Sequence, residues 1–282
     1  MKILKYTFLF LLGIMTSCSS DDDDTTIEQI VTELDGLNKV QEITNDTHVI
    51  ELYSSTGTLE QGYNAISLRI KNKTTNEYEK NATISWMPVM HMAMMNHSCP
   101  TSEIAKTASK ETLYNGYIVF QMAQNDTEYW DLQVDYTIAD VAYTATAVVN
   151  VPASAKQRVT SFMGSDNKRY IIAMVNPTTP KVAINDVTFG LYKMENMMSF
   201  PVVDDYKIKI DPRMPSMGNH GSPNNVDLTQ SADKLYRGKL SLTMTGYWKI
   251  NLQLLNSLDE ILKGEAITET TESSSIYLEL EF

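Results

Sequence analysis

From residue 48 onward, apolar and polar positions alternate along much of the chain with a period of two, the spacing of a half-buried strand and not of a helix. In "YNAISLRIKN" (63–72), Ile66, Leu68 and Ile70 stand against polar neighbours. Further runs are "HVIELY" (48–53), "GYIVFQM" (116–122), "YWDLQVDYTI" (129–138) and "YTATAVVNV" (143–151), each bounded by the Asn, Asp, Gly or Thr clusters that punctuate strands. Only "TIEQIVTELDGLNKVQEI" (26–43) reads as helical, either as a short linker helix or as an irregular approach to the first strand. Short strands at regular spacing without helical interludes predict an all-β fold of antiparallel β-sandwiches, not a parallel α/β sheet.

The pattern recurs in the second half of the chain. "NAISLRIK" (64–71) aligns with "NDVTFGLYK" (185–193), and "LYNGYIVFQM" (113–122) with "LYRGKLSLTM" (235–244). Each of the latter precedes a Trp-led strand, "YWDLQV" or "YWKINLQLL". Between these landmarks "MPVMHMAMMNHSCP" (87–100) aligns with "MPSMGNHGSP" (214–223) if "HMAM" is taken as an insertion. Two homologous sandwiches follow as the expectation, over 43–152 and 157–282, with the boundary in "VPASAKQ" (151–157).

The amino terminus is of another kind. Lys2 and Lys5 precede an apolar run from Tyr6 to Met15, well short of the roughly 20 residues a bilayer helix needs, so residues 1–17 read as a secretory signal peptide. "LGIMTSC" resembles a bacterial lipoprotein box, which implies cleavage before Cys18 and acylation of its sulfur, leaving the mature chain anchored to a membrane surface. "SSDDDDTT" follows, so that 18–42 forms an acidic tether and linker. Such an acidic run resembles the export signal of surface lipoproteins in the Bacteroidetes, implying the outer face of the outer membrane; a plain flexible tether facing the periplasm is the alternative.

Composition narrows the partners. The formal net charge of -12 includes four charges from Asp21 to Asp24 and leaves no basic patch for nucleic acid. A hydrophobic content of 43% is ordinary for a globular chain. The chain has two cysteines, and with Cys18 acylated Cys99 has no partner within the chain, so no disulfide framework is expected.

Candidate chemistry concentrates in the two aligned loops. Three of the four histidines lie there, and residues 87–100 alone hold five of the 16 methionines. Thioether is a soft, neutral ligand and imidazole an intermediate one, a combination that suits copper and favours Cu(I). Thioether also needs no deprotonation to bind. In the second loop Met214, Met217 and His220 stand three residues apart, a spacing that a curled loop turns toward one centre, with Pro215, Gly218, Gly221 and Pro223 shaping its path. In the first loop Met87, Met90 and His97 are the expected equivalents, and His91, Met92, Met94, Met95 and Cys99 are further donors. Cys99 reads either as a thiolate ligand or as a small buried residue. Met197 and Met198, in "LYKMENMMSFP" (191–201), read either as packing or as ligands able to reach the second site. Met122 and Met244 read as core, and His48 as a surface or edge residue. The plainer account of the loops is that methionine fills gaps or forms an adaptable contact surface.

The run from "MPSMGNHGSP" through "LYRGKLSLTMTGYWKINLQL" resembles the YtkA-like and FixH-like domain, over most of the second half and more loosely over the first. The resemblance implies a small immunoglobulin-like sandwich and a role in copper handling or copper delivery to an oxidase. No Ser-His-Asp set, paired-carboxylate motif or phosphate-cradling glycine loop marks an enzyme. A blue-copper set of Cys99, His91, His97 and Met90 has no counterpart in the second half, which lacks cysteine. The expectation is therefore a lipid-anchored, non-enzymatic protein of the outer membrane that binds Cu(I) and passes it to an envelope copper-receiving protein. The alternative is a surface interaction or structural module whose Met-rich loops are packing or contact surface.

Overall fold

Among residues 33–282, which the computed structural model describes, the period-two pattern becomes 19 β-strands and a single 3-10 turn. The signal peptide of 1–17, the lipidation site Cys18 and the tether up to residue 32 lie outside the described residues. The first half contributes β1 (Asn38–Thr44), β2 (His48–Ser54), β3 (Gly62–Asn72), β4 (Ala82–His91), β5 (Asn96–His97), β6 (Ala105–Lys106), β7 (Tyr114–Phe120), β8 (Tyr129–Ile138) and β9 (Val141–Val149). They form a five-stranded sheet in the order β1-β2-β3-β7-β6 and a four-stranded sheet in the order β5-β4-β8-β9.

The second half contributes β10 (Val159–Met163), β11 (Arg169–Asn176), β12 (Ile184–Met194), β13 (Lys207–Met214), β14 (His220–Gly221), β15 (Val226–Gln230), β16 (Tyr236–Ser241), β17 (Tyr247–Leu255), β18 (Ile261–Lys263) and β19 (Tyr277–Glu281). These run β10-β11-β12-β16-β15-β13-β17-β18, with β14 beside β13 and β19 beside β17. The strand order of the first half recurs, except that β15 pairs with both β13 and β16 and so joins two layers that stay separate around β6. Every named strand pair is antiparallel. The protein is an all-β sandwich fold.

Alternation places the apolar side chains between the layers. Ile50, Leu52, Ile66, Leu68, Ile118 and Phe120 of one sheet meet Trp86, Met90, Trp130, Leu132 and Val134 of the other in one core. A second core gathers Val187, Phe189, Leu191, Ile208, Met214, Trp248, Ile250 and Leu252. Each such fully buried side chain contributes about 1.5–3 kcal/mol relative to exposure. A third cluster, in which Val119 of the first half meets Val159, Ile171, Ala173, Tyr192 and Phe200, closes the seam between them. Residues 33–282 accordingly form one compact unit. Within 151–157 the backbone is tied to both sides, since Gln61 N donates to Pro152 O at 2.9 Å and Glu279 N to Gln157 O at 2.9 Å.

A shared polar device opens the matching strands. Asn64 Nδ2 donates to Glu60 O and Gly62 O at 2.8 and 2.9 Å while its Oδ1 accepts from Glu60 N. Asn185 makes the same three bonds, to Lys181 O, Ala183 O and from Lys181 N. An amide satisfied on both ends can be buried in a turn that would otherwise leave backbone groups unpaired.

Two expectations are corrected. The helical reading of 26–43 fails over its described part, because residues 38–43 belong to β1, paired along β2 from Asn38 opposite Ser54 to Thr44 opposite Val49. A short helix cannot compensate for the ladder and the burial of Ile43 that this edge strand gains. His48 is not a surface residue: it is 2% exposed, held by Thr47 Oγ1 at 2.9 Å and packed edge-on against Tyr136 and Tyr143.

Candidate metal centre

Strand register decides which loop residues correspond. In β4 Pro88 lies opposite Leu132, and Met90 lies opposite both Trp130 and His97. In β13 Pro212 lies opposite Ile250, Arg213 opposite Lys249, and Met214 opposite His220. Extended one step, that register would bring Met214 opposite Trp248, with which it shares a core. The two tryptophans donate their indole N–H to Met122 O and Met244 O, each at 3.0 Å. The residues that open the strands donate to matching tyrosines, Ala82 N to Tyr114 Oη and Tyr206 N to Tyr236 Oη.

Met90, therefore, and not Met87, stands in the place of Met214. The matching stretches are "MPVM" and "DPRM", and Met87 corresponds to Asp211. Between the paired Met and His lie six residues in the first half and five in the second, so the loops differ by one residue and not by four. The Met-Pro at 214–215 resembles that at 87–88 in letters but not in place.

β4 runs straight through Met87 to His91, which separates donors that a loop would have gathered. Trp86, Pro88 and Met90 face the core, and Met87, Val89 and His91 the outer side. Met87 and His91, four residues apart on one strand face, are about 13 Å from each other. Met90 is fully buried against Trp130, and Cys99 is buried in the same core. Burial pushes the Cys99 thiol well above its ordinary pKa, which favours the protonated form of a small apolar side chain over a thiolate.

Two imidazoles are held with one nitrogen engaged. His91 Nε2 lies 2.6 Å from Asp131 Oδ2, and the ring stacks on Tyr129 at 4.8 Å. These are its diagonal and direct neighbours on the outer face of β8. His97 Nδ1 lies 2.7 Å from Ser98 O, and its ring meets Trp130 edge-on at 5.6 Å. A carbonyl only accepts, so Nδ1 carries the proton and the neutral ring keeps its Nε2 lone pair for another partner. A backbone carbonyl or carboxylate fixing the second nitrogen is the usual support of a metal-binding imidazole.

The turn Asn196–Ser199 completes the surroundings of His97. Ser98 N donates to Met197 O at 2.8 Å, which docks this turn of the second half on the first loop. The turn is held by Glu195 N to Ser199 O at 3.0 Å and Met198 N to Asn196 Oδ1 at 2.8 Å. Met197 and Met198, expected near the second loop, thus sit beside the first, 43% and 44% exposed. Met92 N donates to Met95 O and closes the loop tip, where Met94 and Met95 are exposed and Met92 is half-buried. Close by, Gln121 Nε2 stands 3.5 Å from His97 Nδ1 while Gln121 Oε1 is buried without a partner. Two donors do not bond one another, so this contact does not compete with Ser98 O for the proton.

The second loop assembles differently. Met214 is 3% exposed, and its Cε occupies the space beside Gly246, where an added Cβ would stand 3.1 Å away. Pro215–Met217 is the 3-10 turn, ended by Gly218 in the left-handed region at φ 64°. Met217 and His220 are exposed. Beside His220 the contact from a distant segment is Asn219 Nδ2 to Glu272 O at 2.9 Å, and it leaves the imidazole exposed while its cross-strand partner Met214 is buried.

Among the described residues no group of three or more His, Cys, Asp or Glu side chains is placed to hold a metal ion. The Ser98–Met197 backbone bond brings together two loops that carry one oriented imidazole and several exposed methionines, residue types that suit a soft ion better than a hard one. The partners of His91 follow from the alternation of "YWDLQV" once β8 is placed beside β4. The approach of Met197 to Ser98 left no trace in either local pattern. Compared with known proteins, the chain matches no family model and no curated protein.

Proposed function

We propose that this protein is a lipid-anchored extracytoplasmic Cu(I)-binding protein, in which each half is a YtkA-like or FixH-like sandwich descended from one duplicated unit. Its metal centre is the junction site, not two equivalent loops. His97 Nε2 supplies the imidazole, and Met95, Met197 and Met198 supply the thioethers, with Met94 at the rim. The observation that supports this reading is the Ser98–Met197 backbone hydrogen bond, which docks the turn carrying two exposed methionines on the loop that carries His97, an imidazole with Nδ1 already engaged. Neutral thioethers exchange quickly, so the ion passes to an envelope copper-receiving protein by ligand substitution, without any covalent step. His91 with Asp131 and the exposed Met217 with His220 are incomplete donor sets and serve at most as weak entry points. Cys18 tethers the chain to the outer membrane.

The test is anaerobic Cu(I) titration of the mature chain, made soluble by Cys18→Ser, against a chromophoric chelator, with stoichiometry by mass spectrometry. One tight equivalent is expected, weakened about 100-fold or more by His97→Ala and by the Met197→Ala/Met198→Ala pair, and little by His220→Ala. Equal losses at His97 and His220 would sink the junction site, and no binding at all would sink the copper reading. A second reading has its own support: the exposed Met94, Met95, Met197 and Met198 also make an adaptable apolar contact surface for a partner protein.

A further inference from the structure

Away from the methionines, and independent of the copper reading, a cleft of about 660 Å³ lies where the two halves meet the 151–157 stretch. It is lined by parts of 54–65, 154–158, 174–180 and 279–281. Its size falls within the range of small-molecule sites, which favour such junctions. Five charged side chains line it, and three are already engaged. Lys156 pairs with Glu281, and Glu279 accepts from Tyr247 Oη at 2.7 Å and from Gln157 N at 2.9 Å.

The remaining two are Arg158 and Glu60. Arg158 is half-buried, and among the described residues its guanidinium makes one hydrogen bond, Nη2 to Pro177 O at 3.0 Å. Neither it nor Glu60 takes part in any ion pair within 4.0 Å among the described residues. Burial lowers the guanidinium pKa, and the negative charge of Glu60, which lines the same cleft, opposes that shift. A guanidinium with most of its five donors unused, removed from bulk water, is a strong recipient for a carboxylate, which it can bind through two parallel hydrogen bonds. Glu60, exposed on the same cleft, is the matching recipient for a cation. Ser55 and Thr178 add hydroxyls along the wall.

We propose that this cleft binds a small zwitterion of the amino-acid or short-peptide class, its carboxylate on Arg158 and its ammonium on Glu60. A plain anion would leave Glu60 facing like charge, and a plain cation would leave Arg158 unpaired; a ligand carrying both charges satisfies both walls. The spacing of the two groups selects the length of the ligand.

The probes are glycine, diglycine and triglycine, in which the charge separation grows, together with N-acetyltriglycine and triglycine amide, which each lack one charge. They are titrated by NMR and calorimetry into the mature chain carrying Cys18→Ser. At least one of the three zwitterions is expected to saturate, and blocking either terminus of triglycine is expected to weaken it about tenfold or more if triglycine is the length selected. Glu60→Gln, at an exposed position, should weaken the bound zwitterion by about the same factor and erase its advantage over its acetylated form. Arg158→Met should abolish binding, with thermal unfolding measured alongside; should that variant not fold, Glu60→Gln carries the test. The proposal is overturned if no zwitterion binds at about 10 mM, if the acetylated form of the best zwitterion binds as tightly as the zwitterion itself, or if Glu60→Gln changes nothing.

Discussion

Ser98 N donates to Met197 O at 2.8 Å, a backbone bond that joins residues 99 positions apart and breaks the likeness between the two halves of the protein. Where it forms, the neighbouring His97 is 7% exposed; its counterpart His220, whose neighbour Asn219 bonds Glu272 O through its side chain, is open to solvent.

Removing that donor should therefore expose His97. Ser98→Pro deletes the N–H and is expected to cost about 1–3 kcal/mol. Diethyl pyrocarbonate should then modify His97 as readily as His220, read by peptide mass mapping, whereas in the unaltered protein His220 reacts first. Equal reactivity before the substitution would contradict the role of the turn.

Gly190 leaves room for Tyr192. A Cβ at position 190 would stand 2.7 Å from Tyr192 Cε2, and the hydroxyl of that ring is buried with only the Tyr117 hydroxyl near it and no hydrogen bond of good geometry. Gly190→Ala is expected to destabilise by about 1–3 kcal/mol through overpacking. Tyr192→Phe should be neutral or stabilising, since it removes an unsatisfied buried hydroxyl. Urea unfolding midpoints of both variants decide it, and a large loss for Tyr192→Phe would mean that the hydroxyl has a partner.

The methionines should separate into two classes. Met90→Ala and Met214→Ala remove fully packed side chains and are expected to cost about 2–5 kcal/mol each. Met94→Ala and Met217→Ala, at exposed positions, should fall within about 0.5 kcal/mol of the unaltered protein. Thermal denaturation of the four single variants makes the comparison, and similar losses across all four would refute the register-based assignment.

His48 should make stability pH-dependent. Desolvation lowers its pKa, against the weaker opposing pull of Glu79. The unfolded chain, with an ordinary histidine near about 6.5, thus binds the proton at a higher pH than the folded one. Stability from this group is complete above about 6.5 and falls as pH drops from there toward the lowered folded value. His48→Gln should flatten that slope in urea titrations repeated from pH 7.5 to 5; an unchanged slope would assign it to other groups.

Cys99 should behave as a core residue. Its thiol is buried and held above its ordinary pKa, so iodoacetamide at pH 8 should label it only after unfolding. Cys99→Ala should leave Cu(I) affinity within about twofold. Rapid labelling of the native protein, or a large loss of copper affinity, would restore it as a ligand.

Sequence alone determined what depends on near neighbours. The alternation of Ile66, Leu68 and Ile70, the turn residues between runs and the recurrence of Asn64 at Asn185 lead to an all-β sandwich, because strand faces and turn caps are set within a few residues. The matched letters of "MPVM" and "MPSM" misled, because the second Met-Pro stands three residues out of place, and a ladder's register is chosen by what its faces bury. Only tertiary structure decided that Met90 and Met214 fill cores, that Met87 and His91 stand apart on an outer face, and that Met197 belongs beside His97. Those relations rest on strands and turns meeting across long stretches of chain, where the free energy comes from buried surface and paired backbone that no local pattern records.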